Sequence, residues 1–189
     1  LLLRNVPRFP HALTHAVALA AAAASEAVVA SNGGKVEVDL KWPNDLLVDG
    51  RKLAGILSVA GPIKQLMTDI ESYAAPEFVV VGLGLNVGWA PDGAVCLQEF
   101  ATANVSRDAV LAALLVELNQ LLELSPAQSH ERYRAKLSTL RRAVRIELPS
   151  GEFVEGRALD VEADGRLVVL DSCGVTQRLD VGDIIHLRS

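Results

Sequence analysis

The stretch KWPNDLLVDGRKLAGIL, residues 41–57, sets two ammonium groups, Lys41 and Lys52, close to a carboxylate, Asp45, and an amide, Asn44. Two cations near one surface repel each other unless anions meet them, and an anionic ligand would supply those anions. A solvated lysine pair around an ordinary bend, with Trp42 in the core, is the competing reading. It explains less, because Lys41 closes an apolar alternation and Lys52 opens the apolar run LAGIL.

These groups need a frame. Asp49-Gly50 favours a two-residue hairpin turn, since both central positions take positive φ, so residues 46–48 and 51–60 are expected to pair. A regular ladder sets Leu47 opposite Lys52, Asp45 opposite Ala54 and Asn44 opposite Gly55. Asp45 and Lys52 then share a face as diagonal neighbours, roughly 7 to 8 Å apart. Gly55 leaves a notch where a flat ligand can approach the backbone.

Around this hairpin the chain reads as mixed α and β. An alanine-rich helix is predicted from Pro10 to about Ser31, closed by Asn32-Gly33-Gly34. Val36, Val38 and Leu40 then alternate with Glu37, Asp39 and Lys41, the period of a half-buried strand. EFVVVGLGLNVG reads as a central strand. A second helix from Ser106 carries Val110, Leu111, Leu114, Leu115, Leu118, Leu121 and Leu122 on one broad stripe, and a short helix is predicted over 130–137. Beyond Arg141 short alternating segments separated by turn dipeptides predict a small β-barrel or sandwich, giving units at 1–141 and 142–189. LLLR resembles the end of a strand already under way, so further chain is expected upstream.

Other chemistries fit poorly. In VVVGLGLNVG the third glycine of a dinucleotide fingerprint is replaced by Val87, and around SNGGKVEV the upstream Val29 and the internal Val36 stand where a phosphate loop needs glycine and a hydroxyl residue. Asn86, ending that strand, suits a purine edge and a turn cap equally well. His11 and His15 are spaced i, i+4 but have no evident third metal ligand, so packed or solvent-facing histidines are expected. Cys96 and Cys173 show no ligand or disulfide spacing, which suits a reduced, cytoplasmic setting. The net charge of −5 gives no global attraction to nucleic acid. The apolar run after Pro10 is mostly alanine, is interrupted by Ser25 and Glu26 and is expected to be a buried helix, with no membrane partner.

KWPND, followed by KLAGIL and then GLGLN, resembles the catalytic domain of biotin protein ligases, which carry these motifs in this order. The C-terminal segments resemble the SH3-like domain that ends those enzymes. The resemblance implies a mixed sheet flanked by helices, like the class II aminoacyl-tRNA synthetase core, followed by an SH3-like barrel. It implies an enzyme that makes biotinyl-5′-adenylate from biotin and ATP and transfers biotin to a lysine of a biotin carboxyl carrier protein. On this resemblance Lys52 and Asp45 are catalytic; Lys52, Gly55 and Gly84 contact biotin; Lys41, Asn44 and Asn86 contact ATP; and Asp45 helps hold Mg²⁺. A homodimer is plausible through sheet edges. Members of the family carry a glycine-arginine loop upstream of the strand that LLLR resembles, and residues 1–189 do not contain it, a departure from the family pattern. Lipoate ligases share the fold and a similar lysine, and some biotin ligases also act as repressors through an N-terminal winged helix, so both alternatives stay open here.

Overall fold

A computed structural model describes residues 1–4, 6, 10–67, 72–180 and 182–186. In chain order the elements are β1 (Leu2–Leu3), α1 (His11–Ser31), β2 (Asp39–Lys41), β3 (Asp45–Val48), β4 (Arg51–Ala60), β5 (Ile63–Met67), β6 (Ser72–Pro76) and β7 (Val79–Leu85). A 3-10 turn (Leu97–Phe100), α2 (Arg107–Leu122) and α3 (Pro126–Lys136) follow, then β8 (Ala143–Glu147), β9 (Phe153–Val161), β10 (Leu167–Asp171), β11 (Thr176–Leu179) and β12 (Asp183–His186).

The first sheet has the order β1-β7-β4-β3-β2, and every pairing in it is antiparallel. Leu40, Leu46 and Ala54 face one another across β2, β3 and β4 and are buried with Ile56 and Val81. That side belongs to the core that includes α1. Alanines at 16, 18, 20, 21, 22 and 24 are all buried, which lets α2 and the sheet approach α1 closely. α1 is long and apolar enough to cross a membrane, yet 72% of its most apolar window is buried inside the fold. Its end requires glycine: a Cβ on Gly34 would sit 1.8 Å from the Phe100 carbonyl oxygen.

Several elements differ from the sequence expectation. Only Asp39–Lys41 of the alternating 36–41 segment is a strand, because the Val38 N–H donates to Glu26 Oε1 (2.9 Å) instead of to a neighbouring strand. α3 starts a turn earlier than expected, where Ser125 and Gln128 form a capping box and Pro126 takes the first helical position. On α2 only Val110, Leu114, Leu118 and Leu121 are buried, so the apolar stripe is narrower than the run of leucines implied. The β5–β6 hairpin and β12 were not anticipated.

The C-terminal strands form an open antiparallel sheet, β11-β10-β9-β8-β12, rather than the expected barrel. Its outer strands have four residues each and pair on one side only, so no ladder closes β11 onto β12 among the described residues. The sheet is tied to the 41–44 turn, where the Trp42 indole N–H donates to the Gly165 carbonyl (2.9 Å). The Trp42–Pro43 peptide is cis.

Candidate active site

The Asp49-Gly50 turn forms as expected, with φ of 51° and 75°. It fixes Val48 opposite Arg51 and Leu47 opposite Lys52. The register then shifts: Leu46 faces Ala54 and Asp45 faces Gly55, so the expected pairings of Asp45 with Ala54 and Asn44 with Gly55 are not formed. Leu53 is the extra residue of a β-bulge. On its other side β4 is claimed by the segment after β7, where Val95 N–H donates to Lys52 O (2.9 Å) and Asn86 N–H to Leu53 O (3.0 Å). Leu53 and Ala54 consequently both turn inward and are buried.

The bulge decides where Lys52 goes. A regular strand would set it on the face of Ala54; the extra residue brings it over Gly55. A Cβ built on Gly55 would lie 3.2 Å from both Lys52 Cε and Nζ, and 3.4 Å from Asp45 Oδ1. Lys52 Nζ meets Asp45 Oδ1 at 2.5 Å. The lysine side chain is 53% exposed and the aspartate 16%, so the pair contributes no more than about 1 kcal/mol to stability. Its consequence is positional.

Directly opposed residues of an antiparallel ladder share a face. Lys41, Asp45, Gly55 and Gly84 therefore form one row across β2, β3, β4 and β7. The row lies on the side of the sheet turned away from α1. Leu57 and Gly82 make the next row, and Val59, Val80 and Leu2 the one after. Leu57, Val59, Val80 and Leu2 are exposed. This face thus offers charge at one end and a glycine-floored apolar trough at the other. Gly82 and Gly84 are not glycine for want of room: a Cβ would meet Leu57 O at 3.6 Å and Gly55 O at 3.9 Å, both ordinary contacts.

Lys41, Asn44, Asp45 and Lys52 line one cleft of about 590 Å³. Its far wall is the turn between β8 and β9, with Glu147, Leu148, Pro149 and Gly151. No signal in the linear sequence connects these residues with the lysines. Asn44 is partly occupied: its Nδ2 donates to Ile56 O and its carbonyl accepts from Ile56 N–H, each at 2.8 Å. Tyr133 OH donates to Pro43 O (3.4 Å), and Trp42 N–H donates to Thr139 Oγ1 (3.1 Å). The turn is therefore held from α3, from the segment after it and from the C-terminal sheet.

Asn86 does not reach that cleft. It lines a second cavity of about 610 Å³ with Gly82, Trp89 and Arg107. Its Nδ2 donates to Val95 O (3.0 Å) and its carbonyl accepts from Leu97 N–H (3.1 Å), so its amide N–H serves the turn, one of the two uses left open by sequence. Asn86→Ala is expected to cost about 1–3 kcal/mol in urea unfolding, since Val95 O loses its partner. Trp89, 73% exposed beside it, was missed, although an exposed aromatic in a glycine- and proline-rich loop is a legible signal.

His11 and His15 have other roles. His11 packs against Gly165, and His15 is buried with its ring stacked on Tyr133, centroids 3.6 Å apart. Burial holds both below the ordinary histidine range, His15 at about 3. Cys96 is buried and Cys173 exposed.

Residues 2–67 match the Biotin/lipoate A/B protein ligase family and residues 139–187 match the Biotin protein ligase C terminal domain. Biotin--[acetyl-CoA-carboxylase] ligase of Mycobacterium tuberculosis is 40% identical over 160 residues, 80% of this chain and 54% of that protein. Bifunctional ligase/repressor BirA of Escherichia coli is 30% identical, over 82% of this chain and 48% of the relative. The chain spans about half the length of these curated relatives. The apo biotin protein ligase of Aquifex aeolicus shares the fold at a TM-score of 0.74, with 21% identity, over 100% of this chain and 80% of that one. The same enzyme in complex with biotin and ATP aligns at 0.69 with 21% identity, over 94% of this chain and 72% of that one.

Proposed function

The chain belongs to the family of biotin protein ligases, and from that premise we propose that it carries the activating centre of an ATP-dependent ligase that forms biotinyl-5′-adenylate and transfers biotin to a lysine of a carrier protein. The observation that carries this reading is Lys52 lying over Gly55, at the charged end of a glycine-floored apolar trough. A biotin-sized acid fits that layout, with its apolar body over Gly82 and Gly84 and its carboxylate at the ammonium.

Forming an adenylate brings a carboxylate against an α-phosphate. Lys52 offsets that repulsion and aligns the two for in-line attack. Lys41, on the same row, supports the phosphates. Asn44 takes the nucleotide through what its structural bonds leave free, chiefly its Oδ1 atom, whereas Asn86 lines the other cavity and ties down its turn. Asp45 orients Lys52, and Gly55 and Gly84 let the ligand lie on the backbone. Oδ1 of Asp45 is committed to Lys52, which leaves one carboxylate oxygen for Mg²⁺. That suits an ion drawing most of its ligands from phosphates and water, and Mg²⁺ there would neutralise phosphate charge.

The C-terminal match favours biotin over lipoate, because that unit is described for biotin protein ligases. We take residues 1–141 as the catalytic unit and 142–189 as an SH3-like one, in a cytoplasmic enzyme that works on a biotin carboxyl carrier domain. A homodimer through a sheet edge is part of the reading; the outer edge of β2 is already taken by Leu137 and Ser138, which leaves the edge at β1.

Pyrophosphate exchange by the full-length protein tests the reading: exchange should require biotin. Exchange driven by lipoate and not by biotin would overturn it. Gly84→Ala gives a second test. The fold has room for the methyl group, whereas a ligand lying on the sheet does not, so biotin affinity should fall about tenfold in calorimetric titration with no loss of thermal stability.

A further inference from the structure

The two proposed steps ask opposite things of one cleft. Adenylation admits anions; transfer must admit the ammonium of the acceptor lysine, which the same lysines repel. Four charged residues line the cleft among those described: Lys41, Lys52, Asp45 and Glu147. Asp45 is already paired with Lys52. The Glu147 carboxylate takes no ion pair or hydrogen bond from any described residue.

Glu147 is also well placed. It ends β8, opposite Phe153 at the base of a hairpin whose tip is closed by Leu148 N–H to Glu152 O (2.9 Å) and Gly151 N–H to Leu148 O (2.8 Å). The C-terminal sheet that carries it is joined to the lysine-bearing turn through Trp42 and Gly165. Glu147 thus belongs to the wall of the cleft across from the strands that carry Lys41 and Lys52.

Resting on the ligase reading, we propose that Glu147 is the specificity-determining anion of the transfer step, receiving the acceptor lysine's ammonium in a cleft otherwise suited to anions. In that step the amine nitrogen bonds to the acyl carbon of the adenylate and the bond from that carbon to the phosphate oxygen breaks. AMP leaves with the electron pair, and the proton lost by the ammonium passes by way of Glu147 to solvent. The same negative charge gives no help to incoming ATP. Removing it must therefore shift the balance between the steps rather than depress both.

The test uses full-length protein and preformed biotinyl-adenylate. Transfer is measured to a carrier-domain lysine and, separately, to hydroxylamine, a neutral nucleophile. For Glu147→Gln the ratio of lysine to hydroxylamine transfer should fall about tenfold at low ionic strength, further for Glu147→Lys, and the deficit should shrink as salt is added. A ratio unchanged in Glu147→Lys overturns the inference, as does a parallel fall with both nucleophiles, which would mark the hairpin as merely structural. Wild-type protein that shows no biotin-dependent pyrophosphate exchange overturns the ligase reading itself, and this inference with it.

Discussion

Replacing Lys52 by alanine should lower biotin-dependent pyrophosphate exchange by about a thousandfold while the melting temperature hardly moves. One unit-charge pair at about 4 Å in an effective dielectric near 20 is worth roughly 4 kcal/mol, the size of the repulsion between carboxylate and phosphate that the proposed role has the ammonium offset. The side chain is half exposed and its pair with Asp45 is a surface one, so stability should change by no more than about 1 kcal/mol. Arginine should not rescue the loss. The space above Gly55 holds a lysine end at 3.2 Å from where a Cβ would sit, and a planar guanidinium cannot be superposed on that compact position. Normal exchange by the alanine variant would remove Lys52 from the chemistry, and a large drop in melting temperature would recast it as structural.

How far Lys52 was legible depended on two kinds of information. The turn dipeptide Asp49-Gly50 is local, and the pairing of Leu47 with Lys52 that it dictates is present. The bulge at Leu53 is not local: it arises because Lys52 O and Leu53 O accept bonds from residues 95 and 86. The sequence reading brought Asp45 and Lys52 to one face through a regular ladder, and the structure brings them there through an irregular one. The row from Lys41 to Gly84 needs three registers across four strands, which periodicity alone does not supply. Glu147 was invisible for the same reason, since the cleft wall depends on how one sheet is set against another. The amide of Asn86 shows the converse case: both of its uses were legible, and only its neighbours decide that its N–H ties down the loop.

His15 should make the protein acid-sensitive in a way one substitution can isolate. Its imidazole is buried against Tyr133, and burial, reinforced by His11 and His130 nearby, drops it from 6.5 to about 3. The folded state refuses a proton that the unfolded chain accepts below about pH 6.5. The histidine therefore costs nothing above that pH, and stability drains as pH falls from there toward 3, at about 1.4 kcal/mol per unit. By pH 5 the loss reaches roughly 2 kcal/mol. His11 and His130 are also lowered, chiefly by burial, and steepen the same limb; Asp164 and Asp171, held low mainly by hydrogen bonds, act only at more acid pH. His15→Phe keeps an aromatic face on Tyr133 and removes the titrating nitrogens. Urea unfolding at pH 7 and pH 5 should thus show the variant losing about 2 kcal/mol less than wild type between the two. Parallel curves would mean that His15 accepts its proton without opening the core. Because Tyr133 also donates to Pro43 O, the acid-induced opening should reach the lysine-bearing turn, and exchange activity should fall over the same pH range as stability.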